Sequence, residues 1–96
     1  MISEHKILNV FAENVRFFRK KMQISQEELA FRAGIHKNYI GMIERAERNS
    51  TLVILEKISS SLGVGYDDLL TERKDWSLPA LEYNILNSSA YGIRTR

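Results

Sequence analysis

The run Ser25-Gln26-Glu27-Glu28-Leu29-Ala30-Phe31-Arg32-Ala33-Gly34-Ile35-His36-Lys37-Asn38-Tyr39-Ile40-Gly41-Met42-Ile43-Glu44 holds two short helical patterns and the turn between them. Ser25 to Glu28 reads as a capping box, in which the Ser25 hydroxyl accepts from the Glu28 amide while the Glu28 carboxylate reaches back. The helix opened there runs from Gln26 to about Ala33. It stops at Gly34, because glycine takes the left-handed conformation that ends a helix without a side-chain penalty. A second pattern follows closely, Lys37 to about Glu44, with Ile40 and Ile43 turned inward beside Ile35.

Upstream, Leu8, Phe11, Val15, Phe18 and Met22 recur at steps of three and four, one buried stripe of an amphipathic helix over residues 6 to 22. A break follows at Gln23-Ile24. Downstream, Thr51 is placed to cap a helix whose Leu52, Leu55, Ile58 and Leu62 form the inward face and which ends at Gly63. Tyr66 to Leu70 makes a short fifth helix, with Asp67 and Asp68 in the first turn where the helix dipole favours acids. Residues 1–70 show almost no strand patterning. The centre therefore has the form of a helix-turn-helix inside an all-α unit. From Thr71 onward, Trp76, Leu78, Leu81, Tyr83, Ile85, Tyr91 and Ile93 fit no single period, and Pro79 is the only proline. That segment can cross the core, join a dimer interface or pair as a hairpin.

A chain of 96 residues with 14 Lys+Arg, 12 Asp+Glu and no cysteine is a single ordinary domain. A large multi-domain enzyme is excluded, as are disulfides, a thiolate nucleophile and a cysteine zinc site. So small a core favours association with a second copy. The longest apolar stretch, Tyr39 to Ile43, is far below the roughly 20 residues of a spanning helix, so a soluble cytoplasmic protein is expected, with no membrane partner. His5 and His36 are the only histidines, and neither a metal-ligand spacing, a nucleophile elbow nor a phosphate-binding glycine loop is present. No enzymatic activity and no cofactor is expected. Residues 1–55 carry nine basic against six acidic side chains, and residues 56–96 five against six. The positive surplus lies in the first half, in Arg16-Phe17-Phe18-Arg19-Lys20-Lys21 and Arg45-Ala46-Glu47-Arg48, which favours a polyanion partner there.

Ser25-Gln26-Glu27-Glu28-Leu29-Ala30, Ala33-Gly34-Ile35, Tyr39-Ile40, Ile43-Glu44-Arg45, Glu47-Arg48-Asn49 and the Leu52, Leu55, Ile58, Leu62-Gly63-Val64 series together resemble the helix-turn-helix DNA-binding domains of the phage repressor and Cro type. The Glu-Arg-x-Glu-Arg-Asn stretch is especially similar to the controller proteins of restriction–modification systems. The resemblance covers residues 8 to 70. It implies a five-helix, lambda-repressor-like domain over residues 6–70, followed by an extension, 71–96, for dimerisation or partner contact. It also implies a homodimeric, sequence-specific regulator of transcription on a palindromic operator, with recognition helices entering major grooves about 34 Å apart.

Under that resemblance the second helix of the motif offers His36, Lys37, Asn38, Gly41 and Met42 to the groove, with Tyr39 beside them. Lys37 can donate to guanine O6 or N7 and Asn38 can pair with adenine, although both can equally reach phosphates. His36 is a helix cap or phosphate ligand, and Met42 can pack on a thymine methyl. Gly41 can remove bulk so that the backbone approaches, and Tyr39 either bonds a phosphate or packs half-buried. Gln26 carries over as a phosphate clamp at a helix N-terminus. Arg45, Arg48 and Asn49 are placed to grip flanking phosphates. Arg19 and Glu44 match a family ion pair, a structural role. Small Ala30 lets the two helices cross closely. The chain departs from the family at Gln23 and Ala46, where glycine is frequent, and at Ser50, where proline is common. The alternative role is an antitoxin-type autorepressor whose extension binds a toxin; activation would instead need a contact to RNA polymerase.

Overall fold

The computed structural model describes residues 4–73; the expectations for the extension beyond Arg73 lie outside the described residues. Five helices follow one another: α1 (Lys6–Lys21), α2 (Gln26–Ala33), α3 (Lys37–Glu44), α4 (Leu52–Leu62) and α5 (Tyr66–Leu70). No strand occurs among the described residues. Their apolar faces meet in one core built from Phe11, Val15 and Phe18 of α1, Leu29 and Ala30 of α2, Ile40 and Ile43 of α3, Ile58 and Leu62 of α4, and Leu69 of α5. Leu8 and Met22, the ends of the predicted α1 stripe, are only half-buried. Ala30 is buried where α2 packs on α3, and the missing bulk there permits the close crossing.

The helix ends share one device. After α1, α2, α3 and α4 the chain turns through a left-handed residue: Gln23 (φ 60°), Gly34 (φ 71°), Ala46 (φ 56°) and Gly63 (φ 69°). At each, paired amide-to-carbonyl bonds close the last turn, for example Ile35 N to Ala30 O at 3.0 Å with Gly34 N to Phe31 O at 3.2 Å, and Glu47 N to Met42 O with Ala46 N to Ile43 O, both at 2.9 Å. These are the two bonds of a Schellman motif. Gln23 and Ala46 occupy this geometry without being glycine. They hold it at the cost of backbone strain of about 1 kcal/mol at each site.

Two expectations fail. The Ser25 hydroxyl accepts from the Glu28 amide at 2.9 Å, but the Glu28 carboxylate does not reach back. It pairs instead with Arg32, one turn on, at 2.8 Å, because an i,i+4 cation competes for the carboxylate. Leu52 does not face the core: it is 81% exposed. As the first residue after the Thr51 cap it projects past the packed turns of α4. It rims a shallow apolar hollow together with Ile7, Leu8, Phe11, Leu55 and Leu70. The Thr51 hydroxyl does cap α4, accepting from Ile54 N at 3.1 Å. On α5, the Asp68 carboxylate accepts from Gly65 N at 2.8 Å.

A buried polar residue, Asn14, ties α1 to α5. Its Nδ2 donates to Leu69 O and Thr71 O, both at 2.9 Å, and its Oδ1 accepts from Arg73 Nε at 2.9 Å. The Arg73 guanidinium in turn lies over the Phe17 and Phe18 rings, 5.0 and 4.6 Å from their centroids. All three hydrogen-bonding capacities used by Asn14 serve the chain's exit from the last helix, and a buried amide left unpaired there would be costly.

Candidate nucleic-acid interface

α3 packs on α1 and α2, whereas α5 packs on α1 and α4, so the exposed side of α3 and the apolar hollow occupy different flanks of the molecule. Ile40 and Ile43 hold the inner side of α3. His36, Lys37 and Asn38 are exposed at its N-terminal end, and Met42 is half-buried farther along. His36 caps the helix through Nδ1, which accepts from Asn38 N at 3.1 Å. Lys37 Nζ stands 3.7 Å from Glu27 Oε2, an exposed and therefore weak pair. Tyr39 is half-buried against the core, with the Arg48 guanidinium 4.8 Å above its ring. Arg48 also reaches toward Met42 Sδ at 3.9 Å, so Tyr39, Met42 and Arg48 form one cluster.

A second cluster surrounds Glu44 at the end of α3. Its carboxylate accepts from Arg19 through Nε at 2.7 Å and Nη2 at 3.0 Å, a two-pronged pair with the Glu44 and Arg19 side chains 3% and 12% exposed. Arg19 Nη1 donates to Ile24 O at 2.9 Å, so the same guanidinium also ties down the α1–α2 turn. Gln26 Nε2 donates to Glu44 Oε1 at 3.0 Å. The side chain expected to clamp phosphate is therefore engaged with an acid in the free protein. Arg16, half-buried, donates through Nη2 to the Glu44 carbonyl and closes the C-terminal end of α3. The sequence reading gave Arg16 no role of its own. Its i,i+3 spacing from Arg19 is the signal that places both guanidinium groups on one side of α1.

Gly41 is buried although it lies on the outward stripe Lys37, Gly41, Arg45. What covers it is the Arg45 side chain, whose guanidinium is paired through Nε with Glu47 Oε1 at 3.1 Å. Glu47 was not singled out from the sequence, where it reads as one acid in a basic stretch. Gln26, Gly41, Glu44, Arg45 and Glu47 thus come together. Asn49 does not join them: it is exposed and lies on the edge of the apolar hollow with Ser50 and Thr51. Among the described residues no group of His, Asp and Glu could hold a metal ion, and no helix is long and apolar enough to cross a membrane.

Residues 15–69 match the helix-turn-helix family model. Over 67 residues the chain is 43% identical to control protein C.SmaI of Serratia marcescens, covering 70% of this chain and 80% of that one. It is 48% identical over 62 residues to control protein C.BamHI of Bacillus amyloliquefaciens, covering 64% and 76%. Among solved structures, the restriction-modification controller protein C.AhdI from Aeromonas hydrophila superimposes with a TM-score of 0.65 at 34% identity, covering 68% of this chain and 98% of that one. The chain belongs to the helix-turn-helix family of DNA-binding transcriptional regulators.

Proposed function

We propose that this helix-turn-helix regulator binds a palindromic operator as a homodimer and serves as a controller of a restriction–modification system. The observation that carries the reading is the exposed polar end of α3. His36, Lys37 and Asn38 stand free of the core on a helix whose angle is held by Ile40, Ile43 and the Glu44 network. A rigid helix with a polar N-terminal end is what the major groove admits, and Lys37 and Asn38 carry the donors and acceptors that discriminate base edges. His36, Tyr39, Gly41 and Met42 complete that surface. Arg48 and Arg45, with Gln26 once released from Glu44, supply cationic or amide contacts around it, whereas Asn49, at the edge of the hollow, stands apart from these contacts.

The homodimer is supported by a flank away from the reading surface. Leu52, Ile7 and Leu70 are 81%, 51% and 38% exposed, and they rim one apolar hollow with Leu8, Phe11 and Leu55 across α4, α5 and the start of α1. Such a face on so small a domain fits a second copy related by a two-fold axis, which would place two α3 helices on one side of the assembly. Identity with two control proteins supports the restriction–modification role, and work on DNA in the cytoplasm follows from it.

The test is selection of bound sites from a random duplex pool, followed by salt titration of the winner against a scrambled sequence. An inverted repeat with a large specificity ratio is expected. Equal, salt-sensitive binding to every sequence would overturn the regulator reading and favour a protein partner, a toxin for example, as the main ligand. Leu52→Glu should yield a monomer in sedimentation and lose the cooperative full-site complex. A variant that remains dimeric would remove α4 from the interface.

A further inference from the structure

The corner formed by Gly41, Arg45 and Glu47 supports a sharper statement, which rests on the DNA-binding reading above. Helical side chains lean toward the N-terminus, over the turn that precedes them. Arg45, one turn after Gly41, follows this rule: a Cβ added at Gly41 would stand 3.1 Å from Arg45 Nη1 and 3.7 Å from Gln26 Oε1. Glycine leaves a notch in the outward stripe of α3, and the guanidinium fills it. Glu47 Oε1 lies 3.1 Å from Arg45 Nε across the left-handed turn at Ala46, an ion pair between side chains 44% and 50% exposed. Nη1 is the atom that lies against Gly41, and neither Nη1 nor Nη2 makes a hydrogen bond among the described residues, so both donors remain available to an incoming acceptor.

We propose that Arg45 is a base-reading, specificity-determining residue, seated over Gly41 and buttressed by Glu47, that selects a guanine in each operator half-site. Two physical arguments separate this from a phosphate grip. A phosphate contact needs charge but little orientation, and a carboxylate beside it weakens it, whereas here the carboxylate sits directly on the arginine. Reading guanine O6 and N7 needs two donors in one plane, which a guanidinium seated over Gly41 and paired at Nε keeps in Nη1 and Nη2. The seat lies on the same stripe as Lys37, so the fork faces the surface that the groove would cover.

The test uses the full chain and the operator recovered by site selection, with a scrambled duplex as reference. Arg45→Lys keeps the charge and loses the fork. It should weaken operator binding by about tenfold or more and relax one guanine per half-site, with scrambled-DNA affinity and the salt slope close to wild type. Gly41→Ala puts a methyl where the guanidinium lies and should relax the same position. Glu47→Gln makes the decisive sign test. Removing an acid beside DNA would by itself raise affinity for every sequence, whereas loss of the buttress lowers the preference for that guanine. Circular dichroism on each variant checks that the fold is retained.

The proposal is overturned if Arg45→Lys selects the wild-type site with wild-type affinity. It is equally overturned if Arg45→Ala weakens operator and scrambled DNA alike while the salt slope falls by about one, the behaviour of a phosphate contact. If the wild-type chain selects no site, the DNA-specific reading itself has failed, an outcome distinct from either of these.

Discussion

Glu44→Gln, Arg19→Met and the double variant form a cycle that measures how firmly α3 is held against α1. The Glu44 carboxylate accepts two charge-assisted bonds from Arg19, at 2.7 and 3.0 Å, and a third from Gln26 at 3.0 Å. Bonds to charged groups contribute about 1.5–3 kcal/mol each, and the desolvation of a buried carboxylate offsets part of that sum. With the Glu44 side chain 3% and that of Arg19 12% exposed, solvent screens little of the pair. Glu44→Gln turns an amide N–H2 or a single neutral oxygen toward the guanidinium and should cost about 2–3 kcal/mol. Arg19→Met keeps the packed stem but strands the carboxylate on Gln26 and the more distant Arg16, for a similar cost. In the double variant no buried charge is left without its partner, so its destabilisation should fall short of the sum by about 1.5–3 kcal/mol. Urea unfolding followed at 222 nm, at one fixed protein concentration because a dimer couples to stability, reads each corner of the cycle. If the two single costs add to within about 0.5 kcal/mol, the residues act independently and the pair does not fix the helix.

Three further outcomes are expected. Gln23→Gly should raise stability by about 0.5–1 kcal/mol, because relief of the left-handed strain at φ 60° exceeds the added entropy of the unfolded glycine; a lower urea midpoint would show that the Gln23 side chain has a compensating role. Asn14→Ala should cost about 2–3 kcal/mol, since two carbonyls and the Arg73 guanidinium lose a buried partner, and amide exchange in α5 should accelerate more than in α2. Lys37→Ala and Asn38→Ala should each cost about 1–3 kcal/mol on the selected operator and flatten discrimination, while Arg48→Ala should weaken all sequences similarly and lower the salt slope by about one. An unchanged slope for Arg48→Ala would argue against a phosphate contact.

The parts of the fold legible in the chain are the local ones. Spacing of Phe11, Val15 and Phe18, the Ser25 and Thr51 caps, and Gly34 and Gly63 specify helices and stops from residues within a few positions of each other. The all-α class and the motif follow from these alone. The Arg19 and Glu44 match, by contrast, came from family resemblance, since nothing in a separation of 25 residues indicates contact.

The recognition-surface candidates divide along the same line. That α3 would be exposed at Lys37 and Asn38 was readable from the inward pair Ile40 and Ile43, because a helix face is a property of period. Which partner each polar side chain takes was not. Glu28 turned to Arg32, Gln26 turned to Glu44, and Arg45 folded over Gly41 with Glu47 behind it. Asn49 stood apart at the hollow, and Leu52, inward by periodicity, projected outward because α4 begins before the packed region does.

The five helices, and the ends of α2 and α4 at Gly34 and Gly63, follow from local chemistry, since caps, glycine turns and apolar period act through hydrogen bonds and contacts no more than about one turn away. The wiring of the charged groups, the Asn14 clamp on the chain after α5 and the apolar flank left open beside α4 arise from the packing of distant elements. Those depend on distances between elements that the chain brings together only when the core closes, and a charge takes whichever partner packing leaves within reach.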